Sequence, residues 1–249
     1  MESNQNLSSQ HLALDTLQMV EDLVISLLPE VLAMRETVTR KPDGSPVTKA
    51  DVLIETSIEH LLRTQLPNVN FCGEESFFAH EQSESGWLAV LDPIDGTENF
   101  CSGSKLWGVS LSIWRDSAHV ASLILLPELG ERLRTGEKIQ YATSRISGFS
   151  SSLAPELIEE LGLSEEARIT GCAVYNLANV VRGTFASFTN PVGAYSWDLL
   201  AGLNLALEHG CEVTVNDQPY DGTYLQPGTR FRVRIRHRPN SHFGKGSVR

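Results

Sequence analysis

Asp92 and Asp95 stand three residues apart in Trp87-Leu-Ala-Val-Leu-Asp92-Pro-Ile-Asp95-Gly96-Thr97-Glu-Asn-Phe100, where an apolar run ends in two carboxylates, a glycine and a hydroxyl. Leu88 to Leu91, bounded by Gly86 and Pro93, predicts a short buried strand, so the acids fall at its end. Pro93 fixes its own φ and biases Asp92 towards extended backbone, which holds both acids on a stiff turn. Two like charges this close are costly unless a cation lies between them. The same residue types also fit a plain solvated β-turn. A calcium loop is excluded, because its third and fifth ligand positions would be Ile94 and Gly96.

Other acids suit either chemistry or plain structure. Glu74 and Glu75 follow a short apolar approach and Gly73; in a strand, adjacent acids face opposite ways, so at most one readily joins Asp92 and Asp95. Asp51 completes Thr48-Lys-Ala-Asp51, a helix-capping box that accounts for threonine and acid alike without catalysis. Asp198 falls in the first turn of the clearest helix, Tyr195 to Gly210, where the helix dipole favours a negative charge by ~0.3–1 kcal/mol.

The elements that must position these acids follow from periodicity. Leu14, Leu17, Val20, Val24, Leu27 and Val31 predict an amphipathic helix from His11 to about Met34, kinked or ended by Pro29, and a second runs from Ala50 to Leu66. Arg40 to Pro46 reads as a loop able to reach a neighbouring site, and Gln82 to Gly86 as a polar connection. Leu106 to Trp114 and His119 to Leu126 predict two strands of an antiparallel sheet, with Arg115-Asp116-Ser117 as their turn. Ser147 to Ser152 reads as a connecting loop and Pro155 to Leu161 as a helix closed by Gly162. Ser196 is the expected cap of the last helix and Gly210 its end. Arg230, Arg232, Arg234, Arg236 and Arg238 alternate with apolar residues, which predicts a half-buried strand at a sheet edge, its arginines solvated or turned towards a polyanion. The residues after it are expected to be disordered.

Composition narrows the class. The 249 residues, 41% hydrophobic and 20% charged, are enough for one large globular domain or two packed lobes. A net charge of -11 argues against nucleic-acid polymers and anionic membranes as partners. The opening residues lack signal-peptide features and no apolar run approaches a membrane span, so a cytoplasmic location is expected. Cys72, Cys101, Cys172 and Cys211 lack zinc or redox spacing and read as small hydrophobes.

Taken in order, Gly44-Ser-Pro-Val-Thr48-Lys-Ala-Asp51, Gly73-Glu74-Glu75-Ser76, Asp92-Pro-Ile-Asp95-Gly-Thr97-Glu-Asn-Phe100 and Trp197-Asp198-Leu-Leu-Ala-Gly202 resemble the motifs of the inositol monophosphatase family. The resemblance covers about Leu14 to Gly210. It implies a layered α/β fold: a helix pair, an antiparallel sheet and a smaller C-terminal mixed α/β lobe, divided here as residues 1–146 and 147–249. It implies magnesium held by Glu74, Asp92, Asp95, Asp198 and the carbonyl of Ile94. It further implies that Asp51 orients the Thr97 hydroxyl, that Thr97 and Glu74 position the attacking water, and that Glu75 is a secondary acid. Lithium inhibition and homodimers are also implied. Oxygen-only donors suit magnesium, and the backbone N–H groups of Gly96 and Thr97 are candidate phosphate donors. The expected activity is hydrolysis of a small soluble phosphate ester.

The substrate segment departs from the family. Gly171-Cys172-Ala173 is similar to a glycine-serine-alanine segment lining the sugar-alcohol pocket, with Cys172 in place of serine. Pro191 occupies the place of an acid that grips ring hydroxyls, and no Asp or Glu lies between Glu166 and Asp198. Bisphosphate nucleotidase, histidinol-phosphatase and fructose-bisphosphatase activities are the alternatives within the class. A catalytically silent metal-binding homologue is the alternative outside it.

Overall fold

A computed structural model describes residues 2–40, 46–77 and 85–238. The loop, connection and tail expected at 41–45, 82–84 and 239–249 lie outside the described residues. The outermost layer is a helix pair. Helix α1 (Glu2–Ala33) buries Leu17, Val20, Val24 and Val31 along one stripe, and α2 (Lys49–Gln65) presents Ile54, Ile58 and Leu62. Spacing of three and four places them on one helix face, where each buried large side chain contributes ~1.5–3 kcal/mol. Helix α1 runs a turn past Pro29 instead of ending there; the proline is exposed, so solvent takes the carbonyl it leaves unpaired. Strands β1 (Val38–Arg40) and β2 (Pro46–Thr48) pair antiparallel between the helices.

The pair lies on a five-stranded sheet in which β3 (Asn70–Gly73), β4 (Trp87–Asp95), β5 (Gly108–Arg115), β6 (Ala118–Leu126) and β7 (Glu131–Arg134) are neighbours in chain order. Only β3 and β4 run parallel. The β5–β6 turn places Asp116 and Ser117 at φ 50° and 64°, a hairpin geometry matched to strand twist. Strand β4 is buried over eight of its nine residues, because helices cover both faces of the sheet. That is why it reads as a continuous apolar run without alternation.

Behind the sheet lie α5 (Ala173–Val181) and α6 (Ser196–Glu208), followed by a second, six-stranded sheet. Its order is β12 (Gln218–Pro219), β11 (Glu212–Val215), β13 (Arg230–Arg236), β10 (Ser187–Tyr195), β8 (Ile146–Phe149), β9 (Glu166–Ile169), with α4 (Pro155–Leu163) on its outer side. The expected layered α/β architecture is therefore the one found. Helix α6 is apolar nearly all round because it is wedged between two sheets. At Gly202 a Cβ would collide with Leu177, so glycine sets the approach of α5 and α6.

Four expectations are corrected. Ser147 to Ser152 is not a plain loop: its first residues belong to β8, parallel to β10. Helix α4 passes through Gly162 and ends at Ser164. The cap of α6 is Tyr195, and Ser196 is already helical. The arginine strand is interior, paired with β10 on one side and β11 on the other.

Candidate metal and phosphate site

The four acids converge where three elements end. Glu74 begins the turn after β3, Asp92 and Asp95 close β4, and Asp198 is the third residue of α6. Carboxylate oxygens of Glu74, Asp92 and Asp198 lie within 4.8 Å of one another. Strands β3 and β4 are in parallel register, Gly73 beside Leu91, and the Glu74 N–H donates to the Leu91 carbonyl at 3.1 Å. A register slip between Asp92 and Asp95 bulges β4 before its pairing with β5 resumes at Asp95 and Gly108. There the Asp92 Oδ1 accepts the Ile94 N–H at 3.0 Å, the local turn that the Asp-Pro-Ile-Asp order dictates.

Asp92, Asp95 and Asp198 are each oriented by backbone. Asp95 Oδ2 accepts the Val174 N–H at 2.5 Å and the Cys172 thiol proton at 3.0 Å, so the start of α5 fixes it. Asp198 Oδ2 accepts the Tyr195 N–H at 2.8 Å. Among the described residues no basic side chain forms an ion pair with Asp92, Asp95 or Asp198. Burial, and then the charges of Glu74, Asp198 and Asp95, hold Asp92 well above the usual carboxylate range. Asp198 is raised likewise, by burial and then by Asp95 and Glu74. Burial pushes Asp95 up to about 6 against the pull of its hydrogen bonds to Cys172 and Val174. A set of buried and half-buried, mutually repelling oxygen donors fits a hard divalent cation.

Asp51 is the acid of a complete capping box: Oδ2 accepts the Thr48 N–H at 2.7 Å and its hydroxyl at 2.6 Å. Its Oδ1 is buried without a partner, and burial lifts the group to about 6. The Thr97 hydroxyl donates to the Ile94 carbonyl at 3.0 Å rather than to Asp51. Gly96, φ 85°, caps the short helix α3 (Thr97–Cys101), and a Cβ there would lie 3.0 Å from that of Cys172. Glycine alone suits both constraints.

Glu55 was not anticipated. One turn after Asp51 on α2, it is 3% exposed, and its Oε2 accepts the Glu75 N–H at 2.8 Å, with Ser76 as a further donor. It thereby ties down the turn that carries Glu74. Gly73 makes the room, since a Cβ there would run into the Glu55 carboxyl. Gly73→Ala is expected to cost ~1–3 kcal/mol by overpacking, read as a lower urea midpoint with an unchanged m value.

The acids floor a cavity of about 430 Å³ whose other walls are Ile94, Gly96, Thr97, Phe77, Tyr195, Trp197, Gly228 and Arg230. Phe77, Tyr195 and Gly228 carried no site signal in the sequence beyond their types, whereas Arg230 belongs to the arginine alternation read as solvated or turned towards a polyanion. Gly171, Cys172 and Ala173 stand behind Asp95 rather than on the cavity wall, with Gly171 packed on Asn99. Pro191 lines a separate cavity with Glu156, Thr189 and Asn190.

Residues 16–229 match the model of the inositol monophosphatase family. An inositol-1-monophosphatase of Mesorhizobium japonicum is 29% identical, over 74% of this chain and 77% of that protein. A histidinol-phosphatase of Mycobacterium tuberculosis is 33% identical over 37% of this chain, and the match spans about a third, 35%, of that protein's length. A staphylococcal inositol monophosphatase solved as an inhibitory complex soaked in lithium chloride superposes with a TM-score of 0.75 at 19% identity, covering 92% of this chain and 90% of that one.

Proposed function

The chain belongs to the inositol monophosphatase family, and from that premise we propose that it is a magnesium-dependent phosphatase hydrolysing a small soluble phosphate ester. The observation that carries this reading is the meeting of Glu74, Asp92 and Asp198 within 4.8 Å at the floor of an open cavity, with Asp95 beside them. These four acids and the Ile94 carbonyl would hold magnesium. Bound there, the cation supplies neutralisation of phosphate charge and acidification of water.

The chain's own groups do the rest. Glu74 and the Thr97 hydroxyl position the attacking water, and Glu74 is the base that takes its proton. When the Ile94 carbonyl is otherwise engaged, the Thr97 proton needs a new acceptor, and we assign it to the unsatisfied Oδ1 of Asp51. The N–H groups of Gly96 and Thr97 take phosphate oxygens. Glu75, whose N–H is held by Glu55, is a secondary acid.

Residues 1–146 then form the lobe with most of the metal motifs, and residues 147–249 the lobe that supplies Asp198. Among the described residues no helix is long and apolar enough to cross a membrane. Cytoplasmic residence and a homodimer are carried over with the family reading.

The test is phosphate release from a panel of phosphate esters. Turnover should require magnesium, stop in EDTA, return with magnesium and be inhibited by lithium. Magnesium binding without hydrolysis of any ester would leave a silent metal-binding homologue as the answer.

A further inference from the structure

Arg230 is the basic side chain among the described walls of the acid-floored cavity, and the fold puts it there. It pairs with Tyr195 at the last rung of the β10–β13 ladder, where β10 gives way to α6. Tyr195 therefore touches two things at once: its N–H is held by Asp198, and its ring lies under the Arg230 guanidinium at 4.6 Å. The same ring stacks on Trp197 at 4.8 Å and 26°. Arg230 Nη1 donates to the Gly193 carbonyl at 3.3 Å. Gly193, φ 98°, sits in a β-bulge fastened by the Asn190 side chain, and a Cβ there would approach the Phe231 backbone to 3.2 Å. The guanidinium is thus fixed by one face and one edge.

Its charge has no answer within the described residues. Arg232 and Arg234 on the same strand and Arg238 just past it pair with Asp217, Glu160 and Glu212, whereas among the described residues no carboxylate pairs with Arg230 or with Arg236, which lines a different cavity. A stacked arginine left out of ion pairs at a cavity wall is suited to an anion that arrives with the ligand. On the phosphatase reading, on which this inference rests, the ester phosphate is already claimed at the acid floor. We infer that the substrate carries a second anionic group, phosphate or carboxylate, besides the phosphate that is cleaved, and that Arg230 receives it. Phe77 and Trp197, 5.3 Å apart between ring centroids, offer apolar contact to the carbon skeleton joining the two groups.

The experiment compares matched esters at fixed free magnesium: nucleoside 3′,5′-bisphosphate with nucleoside 3′-monophosphate, and phosphoglycerate with glycerol phosphate. The member that carries the second anionic group should be preferred by wild type in at least one pair. Arg230→Ala should remove on the order of 10–100-fold of its kcat/KM, chiefly through KM, while the mono-ester changes little. Arg230→Lys should recover part of the loss. The pair that responds identifies the second anion as phosphate or carboxylate. Equal loss on both members, or no loss, in both pairs overturns the inference. Calorimetry with alkylene bisphosphonates of two to six carbons against the matching monophosphonates decides it without turnover. A selective loss of bisphosphonate binding in Arg230→Ala upholds it even if no ester is hydrolysed, and equal binding by wild type and variant defeats it.

Discussion

Asp92→Asn should lower kcat for phosphate-ester hydrolysis by on the order of 10³-fold, ~4 kcal/mol of transition-state stabilisation, while making the metal-free protein more stable. The two effects have one origin. Asp92 is 1% exposed and surrounded by Glu74, Asp198 and Asp95, so its charge opposes folding whenever no cation offsets it. Asparagine keeps an Oδ1 able to accept the Ile94 N–H, so the turn survives the change. An ordinary buried structural residue would lose stability on substitution; a metal ligand gains it in chelator and loses it in magnesium. Undiminished turnover would sink the assignment, and so would a metal-free melting temperature below that of wild type.

The second large effect is on stability against pH. Burial lifts Asp95 and Asp51 to about 6 in the folded chain against an ordinary value of 3.8, and Asp92 and Asp198 are raised well above the usual carboxylate range. The folded state therefore binds more protons than the unfolded one across that window, and stability falls as pH rises. In EDTA the melting temperature should decline from about pH 4 through 6 and beyond, the reverse of the usual behaviour of paired carboxylates. Magnesium at 100 times its Kd should restore ~2.7 kcal/mol, roughly 5–11 °C for a chain of this size. A metal-free melting temperature flat across this range, with no response to magnesium, would remove the physical basis of the site.

Much of this site can be read in the sequence because local rules place it. Proline and glycine force the turn at Asp92 to Thr97, and the capping box at Thr48 to Asp51 sets a helix start from four residues alone. What escaped depends on partners distant in the chain. Strand β8 is short and carries Ser147, whose hydroxyl meets that of Ser187, so its strand character comes from a parallel neighbour forty residues away. The arginine alternation in β13 shows which face is wet but not how many strands flank it. Glu55 looked like one more polar residue of α2, and only the packing at Gly73 reveals what it holds. The Asp51–Thr97 pairing implied by resemblance is not formed here, where each residue satisfies a nearer group.

The interior place of β13 also bears on how the molecule assembles. Among the described residues the strand comes after every other, yet it fills the middle of the six-stranded sheet, between β10 and β11. During synthesis the first sheet is complete by Arg134, while β10 and β11 must await the segment that joins them. Until then each presents an open edge, the kind of surface on which nascent chains aggregate. The rung that closes this gap also seats Arg230 beside Tyr195, so the cavity wall is finished only once β13 has been made.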